Sequence, residues 1–377
     1  MKKWKNQKSS RRRAEMTLDG SLDRYLIQYY GALGIEPYVA SIHDETRSLA
    51  IFVPEVLSFK KEVSMDEEWL ILEKEERAES YPIRARSIRK RQRMGAKIYP
   101  SRHDCLTYEE VRYAQEPRIY ARPCNFMHIA SSVIPLEDET FFAASRSITR
   151  RWRKSRTARV RGDWLPRELG PGQKSKQAFQ LGGAFVFAIK TESSYEVAVH
   201  RRSAKVATDP GKRAVIPVCG FESNRIGNVK SSMGIIFYNF LREYLEEMHD
   251  YEDLIGEMAQ RRLDPDWFAE LDEARKITSL YGAGEFSLMY LGTCIDWFSG
   301  TMGVCVVATL ENIAEGRQIK RNLRANWEIA EARGVDPAIE FVDISDPRLG
   351  RWHHEGAFST ISSYSLSVAL DYLEDRA

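Results

Sequence analysis

The segment Leu241-Arg242-Glu243-Tyr244-Leu245-Glu246-Glu247 concentrates three glutamates behind one arginine. On a helix, Glu243, Glu246 and Glu247 sit at i, i+3 and i+4 and share one face. Carboxylates that close repel one another unless a counter-charge stands among them. Arg242, four residues before Glu246, supplies one intrahelical partner. A divalent cation would supply more, because hard cations such as Mg²⁺ prefer carboxylate oxygens and bridge to phosphate oxygens. Such a centre could polarise a phosphoanhydride and activate a water. The plainer reading is an acidic, solvated helix face, the usual fate of a charge run.

The other chemistry-bearing residues are more scattered. His353 and His354 are adjacent and therefore point in different directions, which suits a surface pair better than one metal site. His249 adjoins the glutamates and could shuttle a proton, or act as a helix-end cation that favours the C-terminal dipole. Asp296 closes an apolar run just before Trp297, a position that fits a turn aspartate or a ligand crevice. The five cysteines, 105, 124, 219, 294 and 305, form no CxxC pair, so neither a zinc ribbon nor a disulfide framework is indicated. No Walker loop, HExxH or nucleophile elbow is present.

The elements around the glutamates are those of a mixed α/β arrangement. Residues 183–190 and 195–202 read as a hairpin about the polar turn Thr191-Glu192-Ser193-Ser194. A third strand is expected over 213–219. The spacing of Met233, Ile236, Phe237, Phe240, Leu241, Tyr244, Leu245 and Met248 predicts a helix over about 232–250, anchored by its apolar face. Residues 251–277 read as helical and charged, 286–296 and 301–310 as a strand pair, 322–333 as a helix, 339–344 as a strand and 358–374 as a closing helix.

With this frame, Arg242-Glu243-x-x-Glu246-Glu247 resembles the REUxEE core of the Nudix box, with Tyr244 at the hydrophobic position. Upstream, a strand ending in Arg201-Arg202, the turn Pro210-Gly211 and the step from Pro217 to Gly220-Phe221-Glu222 are similar to Nudix hydrolases too. The resemblance covers about residues 180–375. It implies a Nudix-like α/β/α sandwich with a mixed sheet that hydrolyses a nucleoside diphosphate linked to another moiety. It implies Glu243, Glu246 and Glu247 as ligands of Mg²⁺ or Mn²⁺, Glu243 as the alternative general base, and Arg242 as the residue that orients them. Arg201, Arg202, Phe221 and Glu222 are the expected substrate contacts. The box departs from the family at four positions: Asn228 and Gly234 stand where its first glycine and glutamate belong, and His249 and Asp250 where a glycine and an apolar residue follow. The alternative is therefore a catalytically silent Nudix-like nucleotide-sensing or regulatory protein that contacts nucleic acid or a protein partner through its basic N-terminal half.

The remaining chain divides into a basic arm at 1–15, expected to be disordered, and an α+β region at 16–170. That region holds a strand-like stretch at 48–59, an acidic helical pattern at 62–79 and, at 107–121, a short helix followed by a turn. A Gly- and Pro-rich boundary at 162–177 precedes a Nudix-like domain at 178–377. The net charge is only +2, which excludes a generic polyanion binder, but the charge is uneven. Arg84–Lys97 carries seven Lys or Arg and Arg146–Arg161 carries eight. Such runs could contact nucleic acid. The N-terminus has no apolar stretch after its basic residues, and the most apolar segments are short, so neither a signal peptide nor a membrane span is expected. A cytoplasmic location and a homodimer complete the expectations.

Overall fold

The fold is described by a computed structural model over residues 15–16, 18–67, 69–74, 85–93, 104–112, 117–147, 161, 178–203, 206, 209–251, 264–326, 328–329 and 338–377. The N-terminal elements are α1 (Ser21–Gly31), β1 (Tyr38–Ile42), β2 (Glu45–Leu49), β3 (Ile51–Phe52), β4 (Lys61–Glu62), β5 (Ile71–Glu73), α2 (Ala85–Arg93), β6 (Asp104–Arg112), β7 (Arg118–Asn125) and α3 (Phe126–Ser147). Then follow β8 (Leu181–Lys190), β9 (Tyr195–Arg201), β10 (Arg213–Val215), β11 (Val218–Gly220), β12 (Arg225–Ile226), β13 (Val229–Lys230), α4 (Ile235–His249) and α5 (Asp272–Gly282). The last elements are β14 (Phe286–Asp296), β15 (Met302–Leu310), α6 (Ile313–Asn322), β16 (Ile339–Asp343), α7 (Pro347–His354) and α8 (Thr360–Glu374).

A nine-stranded mixed sheet in the order β10-β9-β8-β15-β14-β3 organises the molecule, with β11 also on β8, β16 on β9 and β4 on β14. Strands β8 and β15 run parallel, from Leu181 opposite Met302 to Ile189 opposite Leu310. Successive side chains of β8 point to opposite faces, as the pleat requires. Phe185, Phe187 and Ile189 pack with Phe240, Leu241 and Tyr244 of α4. Ala184, Val186 and Ala188 pack with Leu366, Ala369, Leu370 and Leu373 of α8. Helices thus cover both faces of the sheet, the arrangement that lets a strand apolar on both sides be buried.

The N-terminal region is built into this body. Strands β3 and β4 add to the edge of β14. The small sheet β5-β7-β6 reaches the other half through β6, where Cys105 bridges to Glu222, Thr107 bridges to Gln180, and Leu106 N–H donates to Phe221 O at 2.7 Å. The boundary expected at 162–177 and most of the arm at 1–15 lie outside the described residues.

Several local expectations are corrected. In place of the short helix and turn expected at 107–121, residues 107–112 and 118–121 belong to the strand pair β6–β7, and 113–116 lie outside the described residues; Thr107, Tyr108 and Val111 are β-formers, and the antiparallel partner satisfies their backbone. The acidic 62–79 stretch is not helical where described: Trp69, Leu70 and Ile71 are buried, and β5 pairs with β7. Residues 75–79 lie outside the described residues. The single strand expected over 213–219 is split in two, β10 on β9 and β11 on β8, because Pro217 has no N–H for a continuous ladder. Of the helix expected at 322–333, residues 323–326, 328 and 329 are not helical, and 327 and 330–333 lie outside the described residues; α6 runs from Ile313 to Asn322, and the Asn312 side chain caps it by accepting from Glu315 N–H at 3.1 Å. Arg324 and Ile329 then make bridges to His249 and Arg202. Of the helical 251–277, residues 252–263 lie outside the described residues, and α5 begins at Asp272.

Candidate functional site

Helix α4 carries the glutamates because its two faces differ. Phe237, Phe240, Leu241, Tyr244, Leu245 and Met248 recur at helical spacing and are buried in the core. That fixes the rotation of the helix and turns Arg242, Glu243, Glu246 and Glu247 toward β11 and the loop after it. The helix starts at Gly234, where a Cβ would lie 2.6 Å from Glu67 O, so only glycine fits.

Arg242 sits at the centre, with 4% of its side chain exposed. Its Nη1 donates to Glu246 Oε2 at 2.9 Å, and its Nη2 donates to Glu243 Oε1. Its Nε lies 3.9 Å from Glu222 Oε2, an ion pair too long to be a hydrogen bond. Glu222 itself is pinned from two sides. Asn239, fully buried on α4, accepts from Glu222 N–H at 2.8 Å and donates to Glu222 O at 3.0 Å. Strand β6 holds the same loop through Leu106 and Phe221. Glu247 Oε2 accepts from Val218 N–H at 3.0 Å.

These carboxyls are costly to ionise where they stand. Burial holds Glu243 well above the usual carboxylate range against the attraction of Arg242, and Glu246 and Glu247 add repulsion. Burial also pushes Glu247 up to about 8, with Glu328 contributing in the same direction. Two buried acids that near each other share protons rather than titrate separately.

All of this opens on one cavity of about 390 Å³. Its wall includes Arg202, Glu222, Arg242, Glu243, Glu246 and Glu247, with Asp296 and Glu328. Gly182, Gly183 and Gly220 form a side-chain-free strip of the wall. A Cβ on Gly183 would stand 2.3 Å from the Phe221 ring, and one on Gly182 2.4 Å from Cys219 O. Helix α3 supplies Phe126, Val133 and Glu137 from the N-terminal half. Cys105 and Cys219 also face the cavity, but burial raises both thiols, so neither is a thiolate nucleophile.

The other sequence candidates fall as follows. Phe221 is fully buried beneath Gly183 and tilts against Phe185, so it belongs to the core and not to the cavity wall. Arg201 is exposed, its Nε donating to Gly211 O at 3.1 Å, and is not part of the wall. Asp296 is buried at the end of β14, accepts from Ser299 N–H and Oγ, and is pushed up to about 6 by burial. His249 packs edge-on to Tyr244 at 4.7 Å, and burial lowers its pKa, which disfavours a helix-end cation. His353 and His354 lie on α7: His353 is buried between Ser363 and Ala40, and His354 is exposed beside Glu45. Of the two basic runs, Arg91 is buried against Glu137 and Asp138, and Arg161 is buried against Tyr30, Leu136 and Trp297. Residues 84, 94–97 and 148–160 lie outside the described residues.

Asn239, Glu137 and Glu328, and Asp209, which also lines the cavity, are not legible in the sequence as site residues. Asn239 carries the one available signal, a lone amide among apolar helix positions. The others come from distant segments and carry none. No helix among the described residues is long and apolar enough to cross a membrane.

The fit of Mg²⁺ or Mn²⁺ follows from the donor set. Every side-chain oxygen on this wall of α4 is a carboxylate oxygen, the type that hard cations prefer. Glu222 Oε2 is buried without a hydrogen-bond partner among the described residues. Glu243 and Glu247 would each be relieved by a positive charge. No group of three His, Cys, Asp or Glu side chains among the described residues already converges as a cation cage, and Arg242 lies between Glu243 and Glu246. A cation would thus compete with Arg242 for these oxygens. Comparison of the chain with models of known families and with curated proteins finds no match.

Proposed function

We propose that the chain is a metal-dependent hydrolase of Nudix type, acting on a nucleoside diphosphate linked to another moiety. The observation that carries this reading is the convergence of Glu222, Arg242, Glu243, Glu246 and Glu247 on one cavity of about 390 Å³, a size suited to a small ligand. A mixed sheet covered by helices on both faces supports the Nudix-like sandwich. Glu243, Glu246 and Glu247 would hold Mg²⁺ or Mn²⁺, with Glu222 beside them. Bound there, the ion would polarise the phosphoanhydride and lower the pKa of a water. Arg242 orients Glu243 and Glu246. Glu247 is tethered by Val218 N–H, and since burial pushes it up to about 8 in the metal-free site, taking up the ion would displace its proton. Arg202, on the cavity wall, would face phosphate oxygens. With Phe221 in the core, the aromatic wall for a base falls to Phe126 and Phe298.

The test is metal-dependent release of nucleoside monophosphate from a panel of dinucleotides and nucleoside diphosphate sugars. The double variant Glu246→Gln/Glu247→Gln should lose turnover and keep the fold. Parental turnover in that variant would sink the assignment. A second reading, nucleotide binding without turnover, is favoured by the hold of Arg242 on both Glu243 and Glu246. It requires that the parent bind nucleotide yet release no monophosphate with either ion.

A further inference from the structure

A second surface lies outside the cavity. Helix α2 packs on α3 through Ile88 and Arg91. Ile88 is 1% exposed, and Arg91 pairs with Glu137 and Asp138. The opposite side of α2 carries Arg86, Arg89, Lys90 and Arg93, all exposed. These positions are i, i+3, i+4 and i+7, so the four cations form one stripe. Lys90 is engaged, with its Nζ 3.4 Å from Asp138 and over the Phe142 ring at 4.6 Å. Arg86, Arg89 and Arg93 have no ion-pair or hydrogen-bond partner among the described residues. Like charges at this spacing destabilise an isolated helix. The fold therefore keeps three unneutralised arginines in a row on a face where they cost stability.

The geometry points to the outer face of α2 as a binding surface for the phosphate backbone of a nucleic acid strand. From Arg86 to Arg93 the helix rises about 10 Å. Along a strand whose helix axis carries one phosphate per roughly 3.4 Å, that length faces up to about three phosphates. The stripe carries cations with a single exposed aromatic, Phe142, at its edge and no apolar helix face, which favours a polynucleotide over a lipid surface. Phe142, 43% exposed beside Lys90, offers an aromatic face at the edge of the stripe on which a base can stack. The surface also adjoins the cavity: Glu137, the partner of Arg91 on the inner side of α2, is part of the cavity wall. The inference does not depend on hydrolysis, since it concerns a different face and a different ligand.

The test is fluorescence anisotropy with a labelled single-stranded RNA oligonucleotide and full-length protein over a salt series. The variant Arg86→Ala/Arg89→Ala/Arg93→Ala is compared with the parent, and its melting temperature should not fall below the parent's, because these side chains make no contacts that hold the fold and repel one another. Three lost phosphate contacts should lower the salt slope of log affinity by about 2 and the affinity by roughly 100-fold near 0.1 M salt. The corresponding triple lysine variant should restore most of the binding, because charge is the requirement. The proposal is overturned if the parent fails to bind RNA at low salt. It is also overturned if the alanine variant binds with the parent's slope, or if the parent binds phosphatidylserine vesicles and not RNA.

Discussion

Glu247→Gln should make the metal-free protein more stable at neutral pH, although it removes a charge from the proposed site. Glu247 is buried, and its pKa is pushed from 4.5 to about 8. The sign follows from linkage. The folded state holds the proton more tightly than the unfolded chain, so this group's contribution is fully present below pH 4.5 and is lost as pH rises through about 8. Each pH unit in that window is worth about 1.4 kcal/mol, so the penalty at pH 7 is roughly 3 kcal/mol. Glutamine is close in shape, cannot ionise, and keeps an oxygen for Val218 N–H. It also removes one source of repulsion on Glu243. For 377 residues the unfolding entropy is about 0.8 kcal/mol per kelvin, so the variant should melt about 4 °C higher at pH 7. The assay is thermal melting of parent and variant with a chelator across pH 5 to 8.5. The gap should widen steadily with pH, and added Mn²⁺ should stabilise the parent more than the variant. A gap that stayed constant across this range, or a variant less stable throughout, would refute the reasoning.

Two further outcomes follow from buried polar groups. Asn239→Leu removes three hydrogen bonds, two to the Glu222 backbone and one to Ile235 O, and should cost about 3 kcal/mol at roughly 1 kcal/mol each. Urea unfolding measures that cost, and turnover should fall as well because Glu222 loses its clamp; an unchanged midpoint would count against the clamp. His200 is buried with no hydrogen-bond partner for either ring nitrogen among the described residues, and burial lowers its pKa from 6.5 to about 3. A lowered pKa means the unfolded chain takes the proton first, so stability is lost as pH falls from 6.5 toward 3. His200→Leu should flatten that acid limb in urea midpoints between pH 4 and 7, and an equally steep limb in the variant would exclude His200 as its source.

The glutamate helix could be read from sequence because everything that defines it is local. Apolar residues at helical spacing specify one buried face, and the spacing of Glu243, Glu246 and Glu247 then puts the acids on the other. The hairpin at Thr191–Ser194 and the pair β14–β15 were legible for the same reason: short-range alternation and turn residues suffice. Where a segment's partner lies far along the chain, local pattern misled. Thr107–Val111 became strand because Arg118–Asn125, Glu222 and Gln180 offered it a ladder, and residues 71–73, inside the acidic stretch, paired with β7.

What the sequence by itself determined, then, is the α/β character of the chain, the acidic side of α4 and the uneven placement of basic charge. Tertiary structure decided which charges are available. It buried Arg91 and Arg161 inside basic runs and left Arg86, Arg89 and Arg93 outside. It placed Phe221 under Gly183, brought Glu137 and Glu328 to the cavity, and used Asn239 to pin Glu222. Charge, burial and solvation depend on what packs against a residue, and for these positions the packing partners come from segments far apart in the chain.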